Sequence, residues 1–349
     1  MIWKFSNSQI TYPIKVSYFC GLLIFPQILP ILNPELPQIS IVAPLYNESE
    51  SFPHLIGRLT VLMDSLEHRI EVVLIDDGSR DNTPQLMQAL ALSDARYHCI
   101  FLSRNHGHQL ALTAGIASAR ATEALFIIDG DLQDPPELLP KFYEQYQQGY
   151  DVVYAVRTKR KENWIKRGAY YLFYRLLKSI SYIDLPLDSG DFALISRRIA
   201  DILNQMPEES RFLRGMRSWV GFRQIGVQYE RDERVAGAPK YSFKQLFRLA
   251  YNGVFNFSEF PIKFVTRLGG SSILLSLLYL AYVVYKKYFL DGVIEGFTAL
   301  LFALILFSGI QLVALGIIGE YVLRIFFQSK NRPLFIVKEV IKDGKRSEI

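Results

Sequence analysis

A chain of 349 residues, half of them hydrophobic, with a formal charge of +5, is long enough for one large water-facing domain plus a membrane part. The basic balance implies anionic partners, and the apolar C-terminal quarter makes these lipid headgroups or phosphorylated substrates, with no nucleic acid expected. The two cysteines, Cys20 and Cys99, lack metal-type spacing and the five histidines are scattered, which argues against a zinc site and implies a reducing, cytosolic setting.

The chain opens with an apolar extension over residues 1–37. Its run 16–32 contains Pro26 and Pro30, is followed by Pro34 and Pro37, and lacks a small-residue cleavage site. Prolines interrupt a helix, so this extension is expected to be peripheral, in the membrane plane rather than across it. From residue 38 the pattern changes. Apolar runs at 39–43, 72–75, 99–102, 125–128 and 152–156 are separated by amphipathic stretches such as 52–66 and 109–119. Short, nearly continuous apolar strands with intervening helices predict an α/β domain over 38–240, a mostly parallel sheet with helices on both faces.

Ligands of such sheets bind beyond the carboxyl ends of the strands. The first strand ends in Pro44-Leu-Tyr46-Asn47-Glu48, the second in Asp76-Asp77-Gly78-Ser79 and the third in Ser103-Arg104-Asn105-His106-Gly107. Each alone reads equally well as a turn or a helix cap. All of them at one edge point to a binding site. The fourth strand is the most informative, because Ala124-Leu-Phe-Ile-Ile runs into Asp129-Gly-Asp131-Leu-Gln133-Asp134. Asp129, Asp131 and the Gln133 amide are oxygen ligands suited to Mg²⁺ or Mn²⁺, ions that leave part of their shell to substrate phosphates.

Downstream, Asp188-Ser189-Gly190-Asp191 forms a polar turn between a helix-like stretch at 170–183 and the apolar run 192–195, able to project a carboxylate toward that edge. Phe243, Leu246, Phe247, Ala250 and Val254 form one helical stripe, predicting an amphipathic interface helix within 241–262. Two long apolar runs follow, 268–285 and 297–323, joined by a short polar turn around Lys286, Lys287 and Asp291. They predict a transmembrane hairpin over 263–330 and a tail over 331–349. Arg248, Lys263 and Arg267 precede the hairpin, and Arg324, Lys330, Arg332 and Lys338 follow it. This bias places the large domain and the tail in the cytoplasm, as a multi-pass protein of the cytoplasmic membrane.

The motifs Ile41-Val-Ala-Pro44-Leu-Tyr46-Asn47-Glu48, Val73-Leu-Ile-Asp76-Asp77-Gly78-Ser79, Asn105-His106-Gly107 and Asp129-Gly-Asp131-Leu-Gln133-Asp134-Pro135-Pro136 resemble those of family 2 inverting glycosyltransferases with the GT-A fold. More narrowly, residues 38–330 resemble the polyisoprenyl-phosphate glycosyltransferases, the group of bactoprenol glucosyltransferases and dolichol-phosphate mannosyltransferases. The resemblance implies a nucleotide-sugar donor and a polyprenyl phosphate acceptor, with UDP-glucose and undecaprenyl phosphate preferred. GDP-mannose or a modified UDP-pentose is the alternative donor, and a non-catalytic partner in lipid-linked sugar export is the alternative role. It further implies that Pro44, Tyr46, Glu48, Asp76, Asp77, Ser79 and Asp129 hold the nucleotide. Asp129, Asp131 and Gln133 match the metal and diphosphate motif, Asp131 and Asp188 are the catalytic candidates, and Arg157, Arg167, Arg234 and Lys240 meet the acceptor phosphate. Where processive members carry Gln-x-x-Arg-Trp this chain has Arg211-Phe-Leu-Arg214-Gly215, which implies single transfer, and Pro239 replaces the serine common before the lysine of the donor loop. Assembly as a homo-oligomer stays open.

Overall fold

The computed structural model describes residues 36–157, 189–230, 260–289 and 296–348, together with Phe255 and Ser258. The expectations for residues 1–35, for Arg167, Asp188, Arg234 and Lys240, and for most of the 241–262 region lie outside these residues.

The described residues contain strands β1 (Ile39–Leu45), β2 (Ile70–Asp76), β3 (Tyr97–Leu102), β4 (Ala124–Ile127), β5 (Val152–Arg157), β6 (Ser189–Ser196), β7 (Gln224–Tyr229), β8 (Val337–Lys342) and β9 (Lys345–Glu348). They form one sheet in the order β7-β5-β6-β4-β1-β2-β3-β8-β9. Every residue of β1, β2, β3 and β4 is buried, which explains why these segments read as continuous apolar runs rather than alternating ones. Helices α1 (Phe52–Ser65), α2 (Thr83–Ser93) and α4 (Leu139–Gln147) cover one face, where they meet Ile41, Ala43, Leu45, Val72 and Leu74. Helices α3 (His108–Ser118), α5 (Arg197–Gln205) and α6 (Leu213–Val220) cover the other, against Val42, Val73 and Ile75. On the first face Phe126, Phe142 and Phe192 stack with ring centroids 5.3–5.7 Å apart, joining β4, α4 and β6.

The expected mostly parallel sheet is corrected to a mixed one. β4, β1, β2 and β3 are mutually parallel neighbours, and β7 runs parallel to β5. β6 runs against both β4 and β5, and β8 runs against β3. Reversed pairing needs no crossover, and its consequence is positional. Ser189, the first residue of β6, pairs with Val156 near the end of β5, so Ser189-Gly190-Asp191, expected as part of a polar turn, instead opens the strand at the edge where the parallel strands finish.

The segment expected as a tail supplies β8 and β9. Their turn, Asp343-Gly344, has φ of 52° and 69°, the left-handed pair of a two-residue hairpin. Upstream, α7 (Phe260–Phe289) and α8 (Phe297–Ser329) contain 30 and 33 residues, about 45 and 50 Å at the helical rise, more than the ~30 Å of a bilayer core. Their apolar side chains are outward, Ile273, Leu275, Ile305 and Leu312 each being at least 65% exposed, a surface that water does not tolerate. Both helices are long and apolar enough to cross a membrane. The end of α8 is tied to the loop after α5: the Gln328 amide donates to the Pro207 carbonyl, and the Glu209 N–H donates to Gln328 Oε1 at 3.1 Å.

Candidate active site

Beyond the ends of β1, β2 and β3 lies a cleft of about 370 Å³, lined by Tyr46, Asp76, Gly78, Ser79, Arg104 and Asn105 among others. Its walls are stitched together by polar bonds. Asn47 donates its N–H to Ser79 Oγ at 2.9 Å, and Asn47 Oδ1 accepts the Arg80 N–H at 2.8 Å, so the loops after β1 and β2 hold each other. Gly78 adopts φ +69°, and a Cβ added there would lie 2.5 Å from backbone atoms of Arg104 and Asn105. Only glycine allows the second and third loops to approach this closely.

Asp76 lies at the cleft and accepts the Ser79 N–H at 3.1 Å. Burial raises its pKa, partly offset by that bond. Asp77, expected at the ribose, turns both carboxylate oxygens to the N–H groups of His106 (2.7 Å) and Gly107 (2.9 Å), so it fixes the entry into α3. Glu48 accepts the Ser51 hydroxyl at 2.8 Å at the start of α1 and does not line the cleft. Pro44 is buried opposite Ile75, beyond the last β1–β4 pair, Val42 with Ile127, where its missing N–H breaks no ladder bond with β4.

Beside the cleft, the end of β4 builds an acidic cluster. Asp131 is 8% exposed and its Oδ1 accepts the Gln133 N–H at 3.2 Å, a turn that holds Leu132 at φ 58°. A left-handed leucine costs about 1–2 kcal/mol, and the buried Leu132 side chain, 1% exposed in the core, holds it there. Burial, together with the charges of Asp134, Asp131 and Asp191, pushes Asp129 up to about 6, against the pull of His108. Two carboxylates crowded by like charges are a donor set that a hard divalent ion would relieve. The described residues hold no closed cage of three or more His, Cys, Asp or Glu ligands, so such an ion would take the rest of its shell from Gln133 and a diphosphate. The residues fit Mg²⁺ or Mn²⁺ in that sense.

His108, the first residue of α3, lies with Nε2 3.5 Å from both Asp129 and Asp191. Burial disfavours its charge, but the Asp191 bond and the two carboxylates prevail and push it up to about 9, so the imidazolium bridges the cluster at neutral pH. Asp191 is held far below the usual carboxylate range despite its burial, by Arg214 (3.4 Å), His108 and Arg217. Gln109 spans the same corner, donating to Asp191 Oδ2 at 2.8 Å and accepting the Leu213 N–H at 2.8 Å. On the far side Arg157 donates to the Tyr229 hydroxyl at 3.2 Å, and Tyr229 in turn donates to Asp134. Burial works against the Arg157 guanidinium, yet Asp134, Tyr229 and Asp129 leave its pKa raised. Gly190 makes room for it, since a Cβ there would sit 3.2 Å from Arg157 Nη2.

The structure therefore gathers Tyr46, Asp76, Ser79, Asp129, Asp131, Gln133 and Arg157 along one sheet edge, with Asp77, Glu48 and Pro44 shaping it from behind. Sequence reasoning passed over His108, Gln109, Arg214 and Arg217, and preferred Asp188 to Asp191 within one turn. A signal was present: His108 and Gln109 directly follow the third strand-end motif, and Arg214 stands in the segment read only as a departure from the processive motif.

A strand edge that carries a cleft and an acidic cluster side by side has the architecture of a GT-A glycosyltransferase. Residues 40–203 match the model of glycosyl transferase family 2. The chain is 44% identical over 306 residues to the uncharacterized glycosyltransferase YkcC of Bacillus subtilis (strain 168), covering 86% of this chain and 94% of that one. It is 36% identical over 302 residues to the bactoprenol glucosyl transferase of Shigella phage SfV, covering 86% and 98% of the two chains. It is 35% identical over 306 residues to the prophage bactoprenol glucosyl transferase homolog of Escherichia coli (strain K12), covering 87% and 100%. The chain belongs to glycosyltransferase family 2 and is a glycosyltransferase.

Proposed function

We propose that this transferase moves one glucosyl residue from UDP-glucose to a polyprenyl phosphate such as undecaprenyl phosphate, at the cytoplasmic face of a membrane. The observation that carries the reading is the 36% identity to a bactoprenol glucosyl transferase over 98% of that protein. The two long apolar helices support a membrane-held acceptor, because a prenyl chain stays in lipid while its phosphate reaches the enzyme. The lysine and arginine bias around the hairpin supports the cytoplasmic orientation.

In this mechanism the cleft takes the nucleoside, with Tyr46, Asp76 and Ser79 on its walls. Asp129, Asp131 and Gln133 would hold Mg²⁺ or Mn²⁺, whose charge stabilises the departing UDP. The His108 imidazolium and Arg214 keep Asp191 ionised and fixed, which sets the shape of the pocket beside the sugar. Arg157, with Arg167, Arg234 and Lys240 from outside the described residues, orients the acceptor phosphate. The phosphate oxygen attacks the anomeric carbon from the face opposite UDP, inverting it. An acceptor phosphate is largely ionised at neutral pH, with its second pKa near about 6, so Asp188 acts by positioning it rather than by removing a proton.

Membranes carrying the chain, supplied with undecaprenyl phosphate and radiolabelled UDP-glucose, GDP-mannose or UDP-pentoses, test the reading. Label from UDP-glucose should enter the organic-soluble lipid. Label only from GDP-mannose would replace the donor assignment, and no lipid product from any sugar would refute the reaction.

A further inference from the structure

The wall of the cleft opposite Asp76 does not come from the family 2 region at all; the C-terminal hairpin builds it. Lys338 and Glu339 of β8 line the same cleft as Tyr46, Asp76 and Ser79. Asp76 pairs with Phe101 on β3, and Phe101 pairs with Glu339 on β8, so the three residues form one rung across the sheet. Two strand spacings put Asp76 and Glu339 roughly 10 Å apart at the backbone, a gap spanned by Phe101 of β3, which also lines the cleft.

A bulge decides what faces this gap. Phe101 pairs with Glu339, but Leu102 pairs with Val337, which leaves Lys338 as an extra residue in β8. The extra residue keeps Val337 packed on the α3 side of the sheet and adds Lys338 beside Glu339 at the cleft. Glu339 is 4% exposed and its charge is matched within the hairpin, by Arg346 Nε at 2.5 Å and Nη2 at 2.9 Å. Lys338 is exposed. With Arg80 and Arg104 it gives the cleft a basic rim suited to an anionic ligand.

We propose that Lys338 is a nucleotide-binding residue delivered by the C-terminal hairpin, its ammonium donating to an oxygen of the donor's nucleoside, at the end of the donor away from Asp129 and Asp131. This rests on the donor reading above. It makes β8–β9, the segment that directly follows the second membrane helix, a structural part of donor recognition.

The test uses the full chain in detergent, with Lys338→Ala, Lys338→Arg and, as a control elsewhere on β8, Lys342→Ala. Calorimetry with UDP and with GDP identifies the nucleotide that the unaltered chain binds, and donor KM and kcat are measured in parallel. Lys338→Ala should weaken that nucleotide roughly tenfold to hundredfold, the effect of losing one charge-assisted bond. Donor KM should rise by a similar factor, while kcat and thermal stability stay near those of the unaltered chain. Lys338→Arg should recover most of the affinity, and Lys342→Ala should change nothing. Unchanged affinity in Lys338→Ala, or a fall in kcat at constant KM, overturns the inference while leaving the donor reading intact. If the unaltered chain binds neither nucleotide, the donor reading fails and takes this inference with it.

Discussion

Gly78→Ala probes the packing of the strand-end loops with one methyl group. At φ +69° an alanine costs about 1 kcal/mol relative to glycine. The larger effect is steric. The new Cβ would meet Arg104 C and Asn105 N at 2.5 Å, so the third loop must retreat by roughly 0.9 Å to reach an ordinary van der Waals contact near 3.4 Å. That retreat stretches the bonds from the His106 and Gly107 N–H groups to Asp77, now 2.7 and 2.9 Å, to or beyond the limit of a hydrogen bond. Weakening two bonds to a buried carboxylate, added to the backbone strain, gives a loss of about 3–5 kcal/mol. In a domain of this size that is a fall of roughly 10 °C in the unfolding midpoint. Ser79 and Asn105 line the cleft on either side of the contact, so UDP affinity should drop at least about tenfold. Thermal unfolding of the detergent-solubilised protein and calorimetry with UDP measure both. A midpoint within about 2 °C of the unaltered chain, with unchanged UDP affinity, would refute the claim that these loops are locked against each other.

Asp131→Asn should abolish transfer and chelation should reproduce the defect, with Mg²⁺ or Mn²⁺ restoring only the unaltered enzyme; full activity in EDTA would sink the metal role. Arg214→Met should destabilise the fold by about 3 kcal/mol at pH 7, by leaving the Asp191 carboxylate, whose side chain is 8% exposed, short of a cation. The sign of its pH dependence follows from Asp191, whose lowered pKa contributes stability above the unfolded value of 3.8 that is lost only in strong acid. Removing Arg214 raises that pKa, but by an amount worth about 3 kcal/mol, which leaves it below the unfolded value, so the deficit measured by thermal unfolding should hold from pH 7 to 4 and shrink only in stronger acid; a deficit that vanishes by pH 5 would refute the pairing. Ser79→Cys and Ser329→Cys should be labelled only from the cytoplasmic side of sealed membranes and Gly292→Cys only from outside, and labelling of all three from one side would remove the spanning hairpin.

The strands and their edge were legible because each of the five expected runs is a short apolar segment followed by polar groups, and burial demands that order. α1 and α3 were legible to within a residue, since the spacing of Leu55, Leu59 and Leu62 reports the buried face of a helix. Strand direction was not, because an apolar run such as Phe192-Ala-Leu-Ile195 carries the same pattern whichever way it enters the sheet. The hairpin at Val337–Lys342 and Lys345–Glu348 had a readable signal in Asp343-Gly344, overshadowed by the long apolar helix before it. In the site, acidic residues at strand ends announced themselves, whereas His108 and Arg214 acquire their roles only from tertiary contacts with Asp129 and Asp191 across the sheet.

The two reversed strands bring further parts of the chain to the edge that the parallel strands build. A parallel neighbour would enter at the opposite edge, away from the strand ends that carry Asp76 and Asp131. β6 instead begins at the catalytic edge and brings Gly190 and Asp191 directly beside Arg157 and His108. β8 begins at that edge too, and only seven residues lie between the end of α8 at Ser329 and Val337, its first residue. The eight Cα steps from Ser329 to Val337 span at most about 28 Å, and Gln328 is already bonded to Pro207 and Glu209 of the catalytic domain. The helix α8, long and apolar enough to cross a membrane, thus ends within a short tether of the edge where the cleft opens.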